Sequence, residues 1–299
     1  MIDEQVDKLF QKLERQLLSQ MPSVQIALLD RAASIEPCRV GCRGFENLGR
    51  HAVAALNEAA SISDESERRN FSRALIARLA QGTMDRTASM SLTPKIIERT
   101  RQWLPRLAEF LEALVTSDYC FPQDLFCKDY RFVTMMTVPC GAQVLDLNDG
   151  VGPKTSLKLA LQYPLAGVRA AKSAWFRPHT ESRYLDEFSD LGWKDCYREV
   201  AELLELHPSV AGMVATSWFY DPALSEVSPR LSYLRQLPAD NGAMLVRHGT
   251  TDFDIHSAIA TSPTRRALYD AGKYKPVCYS ILWDRRDLIA WASNPSANA

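Results

Sequence analysis

The chain has 299 residues, enough for one large or two ordinary domains with a substantial buried core. Its 35 basic and 36 acidic residues leave a net charge of −1, so no overall field favours nucleic acid or an anionic membrane. No apolar run reaches the roughly 18–20 residues of a membrane span, and the acidic start, MIDEQVDKLF, lacks the pattern of a signal peptide. We expect a cytoplasmic protein that binds neither nucleic acid nor membranes.

The seven cysteines show no CxxC pair of the kind that holds structural zinc. Reduced, mostly buried thiols are therefore expected.

The first third of the chain has helical periodicity, and its segment Pro37–Gly49, with three glycines, is a predicted connector. Thr93 is a good N-cap, and Pro94 suits the first position of a helix. The predicted helices are 3–20, Val24–Ala33, Arg50–Ala60, Ser63–Leu79 and Pro94–Val115. We expect residues 1–116 to form a helical domain through which the chain could form homo-oligomers.

The pattern changes in residues 117–299. Arg131–Val138 and Gln143–Leu147 are rich in β-forming residues and flank a turn signal, so a hairpin is predicted. Further strands are predicted at Val210–Phe219, Ala243–Val246 and Val277–Trp283, and helices at Trp193–Leu206, Pro229–Leu237, Pro263–Ala271 and Arg285–Ala292. The expected fold class is α+β: a helical N-terminal region, then an α/β domain with a mixed, partly antiparallel sheet.

The stretch Arg247–Tyr274 concentrates ionisable side chains between two predicted strands, where α/β domains commonly place their chemistry. Within it, Ser262 can cap a helix whose first turn contains Pro263, Thr264, Arg265 and Arg266. Free backbone N–H groups and two guanidinium groups could bind an anion or cofactor there. Successive residues of a helix point about 100° apart, so the two arginines cannot face one pocket equally. The alternative is an ordinary cap with solvated arginines.

Histidines and carboxylates in the same stretch are of the types that Fe(II) and Zn(II) bind. The candidate metal ligands are His248, Asp252, Asp254 and His256, with His179 and Glu181 as further ligands upstream. His179 or His248 could instead act as a general base. Polar surface chemistry without a metal is the alternative.

Aromatic residues follow the predicted strand Val210–Phe219. Trp218 and Tyr220 could wall a substrate pocket at the carboxyl end of that strand, with Arg247 near it. Aromatic packing beneath a loop is the alternative. No Walker A, G-x-G-x-x-G or G-x-S-x-G motif occurs in the chain.

Thr264–Tyr274, TRRALYDAGKY, resembles the penultimate helix of GNAT-type acyltransferases, which often carry LYxxxGF before a final antiparallel strand. The resemblance implies that Tyr269 protonates the departing thiolate of acyl-CoA. The Q/R-x-x-G-x-G/A loop that binds the pyrophosphate in that family is not found here.

These observations favour a GNAT-like acyl or aminoacyl transferase acting on a small amine, with acyl-CoA or another acyl donor. In that hypothesis Tyr269 is the acid, His179 or His248 is the base, and Ser262, Arg265 and Arg266 bind an anion. Two alternatives stay open. One is a metal-dependent oxygenase or hydrolase with Fe(II) or Zn(II), and the other is a non-enzymatic anion-binding or scaffold protein.

Overall fold

The computed structural model of the chain describes residues 2–35, 48–115, 118–141, 143–181, 183 and 185–294. Internal contacts divide it into two compact units. The helical unit comprises residues 1–139 with 146–148, and the sheet unit comprises residues 140–145 with 149–299. The predicted connector Pro37–Gly49 and the chain end after Ser293 lie largely outside the described residues.

The helical unit is built from amphipathic helices. In the first of them, Phe10 and Leu13 are buried, as the apolar periodicity of the sequence predicts. The helices are α1 (Ile2–Leu18), α2 (Ser23–Ala32), α3 (Arg50–Ala60), α4 (Glu65–Ala80), α5 (Thr83–Ala88), α6 (Pro94–Ala113) and α7 (Asp124–Val133). At the start of α6 the Thr93 side chain accepts a hydrogen bond from the backbone N–H of Ile96, which confirms the predicted cap.

In the described residues, six strands form one sheet in the order β1-β2-β3-β4-β6-β5. The strands are β1 (Thr137–Cys140), β2 (Gln143–Gly150), β3 (Ala174–Thr180), β4 (Val210–Ser217), β5 (Met244–Arg247) and β6 (Tyr279–Asp284). β3 and β4 are parallel, whereas β6 lies antiparallel between β4 and β5. The predicted α+β class with a mixed sheet is confirmed.

The prediction of a strand over Arg131–Val138 was wrong except for its last two residues, Thr137 and Val138, which lie in β1. Its first three residues belong to α7, and Met135 then turns the chain with a φ of 60° before β1 begins at Thr137. The residues are good β formers, but burial of a helical face that includes Phe126 and Tyr130 outweighs this local preference.

The helices of the sheet unit cover the sheet and connect its strands. They are α8 (Pro153–Gln162), α9 (Pro164–Lys172), α10 (Asp190–Leu206), α11 (Leu224–Val227), α12 (Tyr233–Asp240), α13 (Asp252–Ile259), α14 (Pro263–Asp270) and α15 (Arg285–Ala292). On one face of the sheet, Trp175, Val214, Leu282 and Val246 form a buried cluster with Leu159 of α8 and Ala170 of α9. We call this the α8–α9 face.

Tyr197 of α10 and Trp291 of α15 pack with Trp283 of β6, which points away from the α8–α9 face because Leu282 points towards it.

None of the described helices combines the length and apolarity that crossing a membrane requires. None of the described cysteines forms a disulfide: Cys127, Cys140, Cys196 and Cys278 are buried, and Cys120 is partly exposed.

Candidate functional site

The ends of several strands of the sheet unit meet at one edge. β3, β4 and β5 run in the same direction, so their carboxyl ends lie together, and the antiparallel β6 begins at that edge. Ligands of α/β sheets commonly bind outside the carboxyl ends of strands. We call this place the carboxyl edge.

The pairing of β3 with β4 stops before either strand ends at the carboxyl edge. In the described part of the chain their pairing ends at Phe176 and Met213, although β3 continues to Thr180 and β4 to Ser217. Over the same length β4 stays paired with β6 on its other side, as far as Ser217 and Tyr279. We call the unpaired ends of these two parallel strands the wedge.

Pro178 accounts for the end of the pairing. Ala174 and Phe176 pair with β4, and backbone groups of alternate residues face the same neighbour, so Pro178 is the next residue that would pair. Proline has no N–H to donate to a ladder. The same proline explains why no strand was predicted at β3, because a proline within a short apolar run argues against a strand.

A row of hydrogen bonds crosses the α8–α9 face at the carboxyl edge. The hydroxyl oxygens of Thr216 and Ser280 are 2.6 Å apart, and Nε2 of His248 is 2.8 Å from the Ser280 oxygen. Thr216 and Ser280 are direct cross-strand partners of β4 and β6. The backbone N–H of His248 donates to the carbonyl of Cys278, which fixes the histidine just beyond β5. His248 is thereby placed as a potential base.

The surroundings of His248 favour its neutral form. Partial burial, and then the nearby Lys158 ammonium, lower the pKa of the imidazole below its ordinary value, while the Asp254 carboxylate opposes them. Lys158 of α8 is held there by a 2.9 Å bond from its ammonium to the carbonyl of Arg247. A neutral imidazole can accept a proton, as a general base must.

The predicted metal cluster is not formed. Among the described residues, which include all the candidate ligands, no group of three or more His, Cys, Asp and Glu side chains is arranged to hold a metal. Asp252, Asp254 and His256 lie on α13, and the Asp254 carboxylate is occupied by the backbone N–H and the hydroxyl of Thr251. Asp252 and His256 are exposed on the helix, so His248 does not share a site with them.

Asp254 and Cys278 form a second polar pair beneath His248. Partial burial acts to raise the pKa of the Asp254 carboxyl, but hydrogen bonds from Thr251 and Cys278 outweigh it, and this pKa lies below its ordinary value. Burial and the hydrogen bond to Asp254 raise the pKa of the Cys278 thiol to about 12. Cys278 is therefore a buried hydrogen-bond donor and not a reactive thiolate.

The other predicted ligands lie at the end of β3. His179 is the second-last residue of β3 and is partly buried, and Glu181 is buried just after the strand ends. Glu181 accepts hydrogen bonds from the backbone and the guanidinium of Arg183. His179 thus remains at the carboxyl edge as a second candidate base.

The predicted anion clamp does not converge on one point. The Ser262 hydroxyl accepts the backbone N–H of Arg265, so the predicted cap of α14 is present, but Arg266 and Thr264 are exposed whereas Arg265 is buried. Arg265 donates from Nε to the carbonyl of Ala258 at 2.5 Å. Its Nη1 lies 3.0 Å from the Ser228 hydroxyl oxygen, so the guanidinium binds the protein itself.

The aromatic residues after β4 are packed and do not form an open wall. Trp218 and Tyr220 are buried, and the Trp218 indole N–H donates to the Ser257 hydroxyl at 2.8 Å. Burial raises the pKa of the Tyr220 phenol well above its ordinary value. Arg247, at the end of β5, is exposed. The burial of both aromatic side chains is what aromatic packing beneath a loop predicts.

Tyr269 lies on α14, which precedes the antiparallel strand β6, the order that the acyltransferase resemblance implies. It is partly buried against the apolar cluster that contains Trp218, Ile259 and Cys278. Tyr269 is thus close in the fold to the residues that follow β4 and precede β6.

The sequence patterns did not identify Thr216, Ser280 or Lys158. Ser280 had a detectable signal, because it is a hydroxyl residue inside the predicted strand Val277–Trp283, and a buried hydroxyl needs a partner. Thr216 and Lys158 carried no such signal, because their roles depend on strand register and on the position of α8.

No family model matches the chain, and no curated protein matches it by sequence. Two solved structures share a weak overall likeness. One is a crystal structure of an acyltransferase in complex with decanoyl-CoA, with a TM-score of 0.41, 13% identity, and coverage of 91% of this chain and 98% of that chain. The other is an acyltransferase mutant in complex with octanoyl-CoA, with a TM-score of 0.42, 13% identity, and coverage of 92% and 99%.

Proposed function

We propose that the sheet unit transfers an acyl group from an acyl thioester, with acyl-CoA as the donor, to a small amine. The observation that carries this proposal is the wedge between β3 and β4. The proposal rests on this chain's own geometry and not on the two weakly similar structures.

The wedge suits the thioester-bearing arm of CoA for a chemical reason. That arm is an extended chain with two amide groups, and extended amide chains bind by pairing with unpaired strand backbone. The last four residues of β4, Val214–Ser217, have no partner on the β3 side among the described residues. Backbone N–H groups there could also polarise the thioester carbonyl, as preorganised donors do in acyl transfer.

His248 supports the transfer step as the base. The amine attacks the thioester carbonyl, the C–N bond forms, the C–S bond breaks, and the amine's proton passes to the imidazole. The thiolate then takes a proton from Tyr269, the role that the family resemblance gives it, and solvent restores the tyrosine. His179 is the other candidate base, on the opposite side of the wedge.

Binding is tested by amide hydrogen exchange with a non-reactive acyl-CoA thioether. We expect the amides of Val214–Ser217 that face β3 to gain protection, whereas Met244–Arg247, which β6 separates from β4, should not change. A ligand at a hundred times its Kd should also stabilise the fold by about 2.7 kcal/mol. No protection and no stabilisation with acyl chains from acetyl to decanoyl would remove the proposal.

Catalysis is tested by glutamine substitution of three histidines. His248→Gln should lower kcat by roughly 10²- to 10⁴-fold with thioether binding kept. His256→Gln, on the exposed face of α13, is the matched control and should not change kcat. If His179→Gln alone lowers kcat, the base is His179 and the assignment of His248 is wrong.

Tyr269→Phe should lower kcat as well, most with donors whose leaving thiol is the poorest.

A further inference from the structure

Thr216, Ser280 and His248 form a continuous line from the surface to the imidazole. Thr216 is exposed, while Ser280 has no exposed surface. The two hydroxyl oxygens are 2.6 Å apart, and the Ser280 oxygen is 2.8 Å from Nε2 of His248. Both separations are those of good hydrogen bonds. Ser280 is therefore a buried hydroxyl whose two neighbours in the line are another hydroxyl and an imidazole.

The register of the sheet holds this line in place. Ser280 is the cross-strand partner of Thr216 on one side and of Val246 on the other. His248 lies two residues after Val246, so it faces the same side of the sheet. A shift of either pairing by one residue would turn these side chains to opposite faces.

The direction of donation follows from the chemistry of the imidazole. In the tautomer that carries its proton on Nδ1, the neutral imidazole accepts at Nε2; Ser280 then donates to it, and Thr216 in turn donates to Ser280. The Thr216 oxygen then keeps lone pairs for a donor outside the protein. Thr216 lies in the segment of β4 that borders the wedge.

We propose that Thr216 and Ser280 form a two-hydroxyl relay that carries the proton of the attacking amine to His248. This inference rests on the proposed acyl transfer. As the C–N bond forms, the amine gives its proton to the Thr216 oxygen, Thr216 gives its own to Ser280, and Ser280 gives its own to Nε2. The products are the amide, the thiolate and an imidazolium, so charge and protons balance.

The charged groups around His248 affect how readily its imidazole takes up the transferred proton. Lys158 of α8 disfavours the imidazolium, Asp254 of α13 favours it, and Cys278, which precedes β6, donates to Asp254. The hydrogen bonds described for Thr216 and Ser280 involve neither a carboxylate nor an ammonium group. They transmit a proton, whereas Lys158 and Asp254 set how readily His248 holds it.

The test uses hydroxyl deletion in the full chain with a hydroxyl-retaining control. Thr216→Val should lower kcat by roughly 10- to 100-fold, with KM for the acyl donor changed less than about threefold, whereas Thr216→Ser, which keeps the hydroxyl, should regain most of the kcat lost in Thr216→Val. Ser280→Ala, an almost isosteric change, should lower kcat similarly. In the free protein it should also shift the ring-nitrogen NMR signals of His248 by removing the donor to Nε2.

The outcomes separate the relay from the proposed function. A wild-type protein that neither binds nor turns over acyl-CoA refutes the acyl transfer on which the relay rests. Active wild-type enzyme with full kcat and an unchanged pH profile in Thr216→Val refutes the relay alone. Unchanged His248 ring signals in Ser280→Ala refute it as well, with or without substrate.

Discussion

The guanidinium carbon of Arg265 lies 4.8 Å from the centre of the Trp218 ring. The arginine side chain also reaches the Ala258 carbonyl and the Ser228 hydroxyl, and these are its hydrogen bonds among the described residues. Burial lowers the pKa of the guanidinium from its ordinary value. Arg265 thus joins α14 to the end of α13, to the loop after α11 and to the residue that follows β4.

We expect Arg265→Ala to destabilise the protein by about 2–4 kcal/mol, because charge-assisted hydrogen bonds and the cation–π contact are lost together. Arg266, its exposed neighbour, is the matched control, and Arg266→Ala should change the free energy of unfolding by less than about 0.5 kcal/mol. Urea unfolding measures both. Equal effects of the two substitutions would mean that the buried contacts do not stabilise the fold.

In the helical unit, Arg131 and Asp146 form a buried ion pair, with 0% and 5% of their side chains exposed. Asp146→Asn should cost about 3–5 kcal/mol, because it removes the carboxylate that pairs with a buried guanidinium. The double variant Arg131→Met with Asp146→Leu should cost less than the single one, since both charges of the pair are then removed together. A double variant that is less stable than Asp146→Asn would contradict this account.

Gly167 marks the close contact of α9 with α8. A β-carbon at Gly167 would lie 2.4 Å from the Cα of Ala160, so Gly167→Ala requires the two helices to separate. We expect a loss of about 1–3 kcal/mol. Gly249 is the control, because a β-carbon there meets nothing within 4 Å. Gly249→Ala should be neutral or stabilising by about 0.4–1 kcal/mol, as measured by thermal unfolding.

The lowered pKa of His248 should appear in the pH dependence of stability. The folded protein protonates this imidazole at lower pH than the unfolded chain does, for which the ordinary value is 6.5. As the pH falls below about 6.5, the unfolded state therefore binds the proton first, and the free energy of unfolding decreases until the folded pKa is passed.

His248→Gln should remove that part of the slope, as measured by urea unfolding between about pH 7.5 and pH 5. The carboxyl of Asp254, whose pKa is also lowered, contributes stability that is lost only in a more acidic range, below its ordinary value of 3.8. An unchanged slope in the variant would show that His248 titrates normally in the folded protein.

Sequence patterns predicted the fold class and many helices, because caps and periodicity are local properties. Arg50–Ala60 and Arg285–Ala292 match the predicted helices at both ends. α13 was missed although its signal was present: Thr251 and Asp254 have the spacing of a capping box, and the structure forms one. The concentration of charge in that stretch had suggested a loop.

The candidate site was less predictable, because it depends on which strands are neighbours. His248 was identified from its residue type and its place after a strand. Its partner Ser280 lies 32 positions later and becomes a neighbour only because β5 and β6 are antiparallel. The inward turn of Arg265 likewise depends on Ser228 and Trp218, which helical geometry alone could not place.

The early end of the β3–β4 pairing gives an interior strand of the sheet a short unpaired edge. Over its last four residues, β4 has no cross-strand partner in β3 among the described residues, although it lies fourth in a sheet of six. Free edges can template pairing with other chains, and proteins limit this hazard by keeping such edges short. The edge is only four residues long because Phe176 still pairs with Met213 at its inner end. The pairing that remains at Phe176 therefore limits the hazard that the loss of pairing at Pro178 creates.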